Sequence, residues 1–394
     1  MTDLEALVPR MRPYATTIFG EMSARANALG AVNLGQGFPD VDGPAALKDI
    51  AIAAIADGSG NQYPPAHGLP DLRAAIADHQ AHHYGLTVSA ESGVVVTTGA
   101  SEALAAAVLS LVGVGDEVIV FEPYFDLYAA IIAMAGAQRV AVPLRTPEPG
   151  ADSGFRLDVA ALAEAITPRT RMLIVNSPHN PTGMVLSRDE LQQLAELAIR
   201  HDLIVLSDEA YEHLVYGNAT HIPIATLPGM FDRTITVGSG GKSFSFTGWK
   251  VGWASGPPSL ISAMRVVRQH LSYVSGGPFQ SAIAAGLRLP DTFFTDFAAD
   301  LEQRRDLLSD GLRALGFAVV PSHGTYFVTT DIRPLGHNDG AEFCDWLVTD
   351  VGVAAIPISA LADDAATFAP YVRWTFCKRP EVLAEALERM ARLR

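Results

Sequence analysis

Four short apolar runs, each bounded by polar or turn-forming residues, occupy the middle of the chain. Runs of this kind are typical of strands buried on both faces of a parallel sheet. Between the second and third runs, apolar residues recur at helical spacing after a capping-box pair, Ser187 and Glu190. The alternation of strand and helix predicts an α/β domain from Gly85 to about Val274. The predicted strands are Glu117–Phe121, Arg171–Asn176, Leu203–Ser207 and Thr234–Gly238.

The pattern changes on either side of this region. After Pro290, a long helical stretch (Asp300–Leu315), short apolar runs and a final helix predict a smaller α+β domain. Residues 43–84 predict two helices around a turn rich in Gly and Pro, and the residues before about Pro44 predict an irregular arm. The segment Thr146–Gly154 predicts a surface connection. We therefore divide the chain into an N-terminal arm with part of the small domain (1–43), a large domain (44–290) and a small C-terminal domain (291–394).

Composition narrows the class of protein. The chain has 394 residues, of which 49% are hydrophobic and 18% charged, so a large core can form and a disordered chain is excluded. The net charge of −15, without a basic run, argues against nucleic acid and membrane as partners. Two cysteines exclude a disulfide scaffold and a cysteine-based zinc site, and no metal site is predicted. With no secretory signal pattern, a cytoplasmic protein is expected.

The basic residues include only four lysines. Lys48 on a polar helix face and Lys378 beside Arg379 are predicted to be surface lysines. Lys242 differs, because it follows a buried strand and has small or apolar neighbours. Desolvation would lower its pKa from about 10.4 and make its amine a usable nucleophile. A strand-end lysine that reaches solvent is the alternative.

Polar side chains at strand ends form a second group of candidates. Asn180, restrained by prolines on both sides, suits a hydrogen bond to a ligand oxygen, although Asn-Pro is also common in turns. Asp208 ends a predicted strand, so a protonated ligand nitrogen could pair with it; a helix cap is the alternative. Tyr211 could point into the same pocket. Arg373, in an apolar strand, could bind a carboxylate or phosphate or form an internal salt bridge.

A turn of small residues enters an Ala-rich helix at Gly99, Ala100 and Ser101. Their backbone N–H groups could hold a phosphate, although the segment matches neither a Walker A loop nor a full dinucleotide fingerprint. After another predicted strand, Tyr124 or Phe125 could stack on a flat ring, and core packing is the usual alternative.

Taken in order along the chain, these segments resemble the fold-type I, class I and II pyridoxal-phosphate aminotransferases over essentially the full length. Within that family the chain most resembles the actinobacterial N-succinyldiaminopimelate aminotransferases, and next the kynurenine and glutamine aminotransferases. The resemblance implies a large domain with a mostly parallel seven-stranded sheet flanked by helices and a smaller α+β domain. The matching segments are NLGQGFPD, NQYPPAHGLPDLR, TTGASEAL, EPYFDLY, NSPHNPTG, SDEAYEHLVY, SGGKSFSFTGWKVGW and YVRWTF.

The resemblance also implies a role for each candidate. Lys242 would form the Schiff base with pyridoxal 5'-phosphate and transfer the substrate's Cα proton. Asp208 would pair with the protonated nitrogen of the cofactor ring. Asn180 and Tyr211 would form hydrogen bonds to the ring oxygen, and Phe125 would stack on the ring.

The remaining implied contacts concern the phosphate and the substrate. Arg373, helped by Gly37 and Asn180, would bind the α-carboxylate. Tyr63 would reach the phosphate of a neighbouring subunit, which implies a homodimer. Lys250 stands where many relatives have arginine, so it keeps the charge but not the bidentate fork. The residues implied to hold the phosphate within one subunit are Gly99, Ala100, Ser101, Ser239 and Lys250.

The activity implied is transfer of an amino group between an amino acid and a 2-oxo acid, with 2-oxoglutarate and N-succinyl-LL-2,6-diaminopimelate, a lysine precursor, as the expected pair. A kynurenine, glutamine or methionine aminotransferase, or a cysteine-conjugate β-lyase, would use the same site residues. Arg12 and Arg25 are candidates for the extra carboxylates of a succinylated substrate. Tyr14, Ile18 and Phe19 would instead suit an aromatic or long side chain.

Overall fold

A computed structural model describes residues 6–148 and 153–391. The α-helices in these residues are α1 (Ile18–Leu29), α2 (Ala45–Ala56), α3 (Pro70–Tyr84), α4 (Gly99–Leu111), α5 (Leu127–Ala135), α6 (Val159–Ala165), α7 (Arg188–Arg200), α8 (Gly240–Ser243), α9 (Pro258–Leu271), α10 (Gly277–Leu287), α11 (Asp291–Ala314), α12 (Gly340–Trp346), α13 (Ala365–Phe368) and α14 (Pro380–Ala391). The strands are β1 (Val32–Asn33), β2 (Val94–Thr98), β3 (Glu117–Glu122), β4 (Gln138–Pro143), β5 (Thr170–Asn176), β6 (Ile204–Asp208), β7 (Thr234–Ser239), β8 (Val251–Ser255), β9 (Ala318–Val320), β10 (Phe327–Asp331), β11 (Val353–Ala354), β12 (Ile356–Pro357) and β13 (Tyr371–Thr375).

A seven-stranded sheet forms the centre of the fold, in the order β2-β8-β7-β6-β5-β3-β4. Only β8 runs against its neighbours β2 and β7; the other pairings are parallel. The expected α/β class with a mostly parallel seven-stranded sheet is therefore confirmed.

Both faces of this sheet are covered, which explains the continuous apolar runs. Successive side chains of a strand point to opposite faces. Val118 and Val120 of β3 pack in the core with α4, α5 and α9, whereas Ile119 and Phe121 pack on the other side with α6 and α7. In the middle of β3, residues 118–121 are therefore all apolar, and no polar residue alternates with them.

The four strands predicted from the apolar runs lie within one residue of the observed boundaries at either end. Helix α7 also begins where the capping box predicts. The Ser187 side chain accepts from the Glu190 backbone N–H, and the Glu190 carboxylate accepts from the Ser187 N–H at 2.8 Å. The boundaries of these four strands and the start of α7 could therefore be predicted from neighbouring residues alone.

Two expectations about the chain's ends need correction. The irregular N-terminal arm contains the 12-residue helix α1, which Thr17 caps by accepting from the Gly20 N–H and which Gly30 ends in the left-handed conformation. The helix predicted to begin at Asp300 begins at Asp291, directly after Pro290. The Thr17 cap of α1 was visible in the sequence, whereas Pro290, which precedes α11, makes no side-chain capping hydrogen bond.

The C-terminal part contains a four-stranded antiparallel sheet in the order β12-β13-β10-β9. Strand β1 pairs in parallel with β11, so residues near the N-terminus join the C-terminal part of the fold. The domain boundaries at residues 43 and 290 stay a prediction. The predicted surface connection Thr146–Gly154 lies partly outside the described residues. Within the described ranges, no helix is both long enough and apolar enough to span a bilayer.

Candidate active site

A cavity of about 320 Å³ lies at the carboxyl edge of the large sheet. The ends of three adjacent strands supply Asn176, Asp208 and Ser239 to its wall, and the small sheet supplies Phe327 and Arg373. In open α/β sheets this edge is where ligands bind. Twelve of the predicted site residues line the cavity: Gly37, Gly99, Ala100, Ser101, Phe125, Asn180, Asp208, Tyr211, Ser239, Lys242, Lys250 and Arg373.

Lys242 lies on the short helix α8 that follows β7. Its Nζ donates a hydrogen bond to the Tyr326 hydroxyl at 2.6 Å and lies 5.7 Å from the centre of the Tyr211 ring. Burial lowers the pKa of this amine to about 8, and the positive charge of Lys250 acts in the same direction. With a pKa of about 8, about a tenth of the amine is neutral at pH 7 and about half at pH 8, and the neutral form is the one that a nucleophile or base requires.

Asp208, only 5% exposed, ends β6. Its carboxylate accepts from the Tyr128 hydroxyl at 2.7 Å and from the Ala210 N–H at 3.2 Å. Burial raises the pKa of Asp208. Among the described residues no basic side chain forms an ion pair with it, so the carboxylate is available to a cationic ligand atom inside the cavity.

Arg373 is 1% exposed and lies between the rings of Phe327 and Phe19, with its guanidinium carbon 4.0 Å and 4.7 Å from their centres. It donates to Asn180 Oδ1 at 2.9 Å and to the Gly35 carbonyl at 2.7 Å. Burial lowers its pKa to about 10. No carboxylate among the described residues pairs with it, and its Nε has no hydrogen-bond partner there. Within the described part of the chain, the internal salt bridge considered from the sequence does not form, so the guanidinium can receive a ligand anion.

The start of α4 forms a cradle of small residues. Gly99 has a φ of +74°, and a Cβ on Gly252 would lie 2.5 Å from the Ala100 nitrogen. A Cβ on Gly99 would lie 3.1 Å from Lys250 Nζ, so this ammonium sits directly beside the turn. A helix N-terminus with free N–H groups and an adjacent cation suits a phosphate.

Two tyrosines in contact with the candidate residues were not selected from the sequence. Tyr326 accepts the hydrogen bond from Lys242 and donates to the Gly37 carbonyl at 2.8 Å. Tyr128 donates to Asp208. Both occur in segments assigned to a strand or a stacking motif, GTYFVTT and EPYFDLY, and nothing local distinguishes them from core aromatics.

Several other candidates lie outside this cavity. Tyr63 is 79% exposed and contacts the ring of Tyr273. Tyr124 instead donates to Asp363 at 2.6 Å. Arg25 is held by Asp345 and Thr349, and neither it nor Arg12 lines the cavity.

Of the two lysines predicted to lie at the surface, one does and one does not. Lys48 is a surface lysine paired with Asp42 at 2.8 Å, as expected. The expectation that Lys378 is a surface lysine is wrong. It is 5% exposed, donates to the Phe38 carbonyl at 2.8 Å and lies 4.0 Å from the centre of the Phe38 ring. The N-terminal segment covers it, which the neighbouring residues could not indicate.

Several known proteins are similar to this chain over nearly its full length. The sequence profile of the family described as "Aminotransferase class I and II" matches residues 30–390. A probable N-succinyldiaminopimelate aminotransferase of Mycobacterium tuberculosis is 53% identical over 98% of both chains. The methionine aminotransferase of Escherichia coli is 37% identical over 98% of this chain and 99% of its own length.

A solved structure is also similar to this chain over nearly its whole length. The N-succinyldiaminopimelate aminotransferase of M. tuberculosis superposes with a TM-score of 0.95 at 53% identity, covering 99% of this chain and 100% of that one. The resemblance inferred from eight sequence segments thus extends over the whole fold. The chain belongs to the class I and II aminotransferase family.

Proposed function

We propose that this transaminase uses pyridoxal 5'-phosphate, bound in the cavity described above. The donor set fits the cofactor at three points. The buried Asp208 carboxylate, which forms no ion pair with the described residues, suits a protonated ring nitrogen. The Lys242 amine suits the aldehyde carbon, and the start of α4 beside Lys250 suits the phosphate. The single observation that carries the proposal is that Lys242, Asp208 and Arg373 line one cavity.

Separate groups of residues would bind the phosphate, the ring oxygen and the face of the cofactor ring. The N–H groups of Gly99, Ala100 and Ser101 would bind the phosphate with Ser239 and Lys250. Asn180 and Tyr211 would hydrogen-bond the ring oxygen, and Phe125 would stack on the ring. When bound, the cofactor supplies the electron-withdrawing ring that stabilises a carbanion.

Arg373 and Lys242 act on different parts of the substrate. Arg373 binds the α-carboxylate, and its contact with Asn180 fixes the guanidinium beside the cofactor site. The binding of the carboxylate orients the Cα–H bond toward Lys242. The Lys242 amine takes the Cα proton as a general base, helped by a pKa of about 8. Tyr326, hydrogen-bonded to Lys242, holds the amine in place between proton transfers.

For the physiological reaction we propose transfer between N-succinyl-LL-2,6-diaminopimelate and 2-oxoglutarate. The support is the 53% identity to the M. tuberculosis protein over nearly the whole of both chains. In one subunit the basic residues that line the cavity are Lys242, Lys250 and Arg373. The distal carboxylates of this substrate would therefore need Gln36, which lines the cavity, or donors from a second subunit.

The test compares kcat/KM for four amino donors with 2-oxoglutarate as acceptor. N-succinyldiaminopimelate should exceed methionine, kynurenine and glutamine by at least about 100-fold, since each charged hydrogen bond to a distal carboxylate contributes about 1.5–3 kcal/mol. The 37% identical methionine aminotransferase makes methionine the second candidate. Preference for one of the other three donors contradicts the substrate proposal. Release of ammonia and pyruvate from an S-substituted cysteine without any 2-oxo acid would show a β-lyase instead.

We also propose a homodimer in which Tyr63 of each chain contacts the phosphate site of the other. Tyr63 is exposed in the isolated chain and near an exposed Tyr273. Further large apolar side chains are exposed on nearby helices. These are Ile52, Ile55, Val266 and Leu271. Contact between two copies would remove this apolar surface from water.

A further inference from the structure

Three histidines that are distant in sequence come together outside the cavity. His79 and His83 lie one helical turn apart on α3, and His213 follows β6 by five residues. A nitrogen atom from each ring lies within 4.8 Å of the other two, and the Nε2 atoms of His79 and His213 are 2.7 Å apart. None of the three lines the cavity. We call these residues the histidine cluster.

The arrangement has the features of a metal-binding site. Two histidines at positions i and i+4 present their rings on the same helix face, and the third comes from another segment. His79 Nδ1 lies 3.2 Å from the Leu287 carbonyl. A carbonyl can only accept, so Nδ1 carries the proton and the lone pair of Nε2 points into the cluster. A backbone carbonyl that fixes the tautomer in this way is the usual outer partner of a metal-bound histidine.

The surroundings favour a neutral, partly open site. The Phe294 ring stacks on His213 with centres 4.1 Å apart and meets the edges of His79 and His83, which backs the cluster with an apolar wall. His79 is buried, whereas His83 and His213 are half-buried, so one side remains open for entry and for a water ligand. Burial lowers the pKa of all three imidazoles, that of His79 to about 4. Neutral imidazole is the form that binds metals.

We propose that the histidine cluster binds one divalent transition-metal ion, with Zn²⁺ as the best match to three imidazoles and a water. The ion replaces the hydrogen bond between His79 and His213. Their Nε2 atoms move apart from 2.7 Å to about 3.3 Å, the separation set by tetrahedral zinc–nitrogen bonds. The site joins α3 to the segment that carries Tyr211, whose carbonyl accepts from the Leu214 N–H at 2.8 Å. Its role is structural, because it lies outside the cavity.

The test is calorimetric titration of the chelator-treated holoenzyme with ZnCl₂. We expect one high-affinity site per subunit, and a rise in Tm on addition of Zn²⁺. His83→Gln and His213→Gln should each weaken the affinity about 100-fold or more, since either leaves only two imidazole ligands. His201→Gln, an exposed histidine at the end of α7, serves as the matched control and should bind like the wild type.

Three outcomes overturn the proposal: no binding by the wild type, binding that His83→Gln leaves unchanged, or binding that His201→Gln weakens equally. His83 is half-buried, so its replacement by glutamine is compatible with folding. The transaminase activity of His83→Gln should equal that of the wild type, which shows that the protein is folded. If His213→Gln fails to fold, His83→Gln is compared with His82→Gln, because His83 also lies in a neighbouring group with His82 and Asp291. His82→Gln should bind Zn²⁺ like the wild type, and a loss of binding in His82→Gln equal to that in His83→Gln would overturn the proposal.

Discussion

At the scale of single residues, burial sets the pH at which the Lys242 amine becomes reactive. The charged ammonium is disfavoured in the cavity wall, so the pKa falls to about 8 from the ordinary 10.5. In the cofactor-free protein, acylation of Lys242 should therefore reach half its maximal rate near pH 8. Lys250→Met should move this midpoint upward, because it removes a neighbouring positive charge. Peptide mass spectrometry after timed labelling measures the midpoint, with Lys242→Ala as the blank.

The chain offers a simple control for that experiment. Lys48 is a surface residue paired with Asp42, so Lys250→Met should leave its labelling unchanged. A Lys242 profile that rises only above pH 10 would contradict the role assigned to burial.

Arg373 provides a second test at this scale. Arg373→Lys keeps a positive charge but loses the planar fork that donates to Asn180 and Gly35. In the proposed function this fork also binds the substrate carboxylate. One charged hydrogen bond is worth about 1.5–3 kcal/mol, so kcat/KM for the amino donor should fall about 10- to 100-fold. Steady-state kinetics measure the fall. Arg25→Lys, outside the cavity, should retain wild-type kinetics, and equal losses in both variants would refute a special role for Arg373.

At the scale of elements, α7 depends on its capping box. Ser187→Ala removes the acceptor for the Glu190 N–H and should destabilise the helix start by about 1 kcal/mol. Hydrogen exchange of the amides in the first turn of α7 should accelerate about fivefold, while the sheet core is unaffected. Gln192→Ala, at an exposed position of the same helix, is the matched control. If both variants exchange alike, the cap contributes nothing measurable.

At the scale of the whole molecule, the proposed dimer predicts complementation between an impaired chain, Tyr63→Ala, and an inactive chain, Lys242→Ala. Tyr63→Ala should weaken cofactor binding in the other subunit, and Lys242→Ala should abolish turnover in its own. A mixed dimer then contains one complete site, so mixing the two variants should restore part of the activity. Light scattering should give twice the chain mass of 41.8 kDa. A fully active monomer, or mixing without recovery, would disprove the shared site.

Charge also acts at this scale. The chain has a net charge of −15, yet Lys242, Lys250 and Arg373 all line the one cavity that receives anions in the proposed function. A local concentration of cations in a low-dielectric pocket can outweigh a distant, screened field. The distribution of charge, rather than its total, therefore fits the cavity to carboxylates and a phosphate.

The sequence alone determined the elements whose signals are local. The buried runs fixed β3, β5, β6 and β7 because both faces of the sheet are covered, and Ser187 and Glu190 fixed the start of α7. It also indicated Lys242 through its apolar context. The order of the motifs identified the family, and the comparisons confirm it.

Only the tertiary structure decided which residues meet. Tyr326 contacts Lys242 across 84 positions, and Arg373 reaches Asn180 across 193. Lys378 became buried because the distant Phe38 segment covers it, and the histidine cluster joins α3 to a segment 134 positions away. Hydrophobic burial and helix capping are read from neighbours along the chain, whereas the partner of a buried polar group depends on how separate elements pack. That packing is global, so no local pattern specifies it.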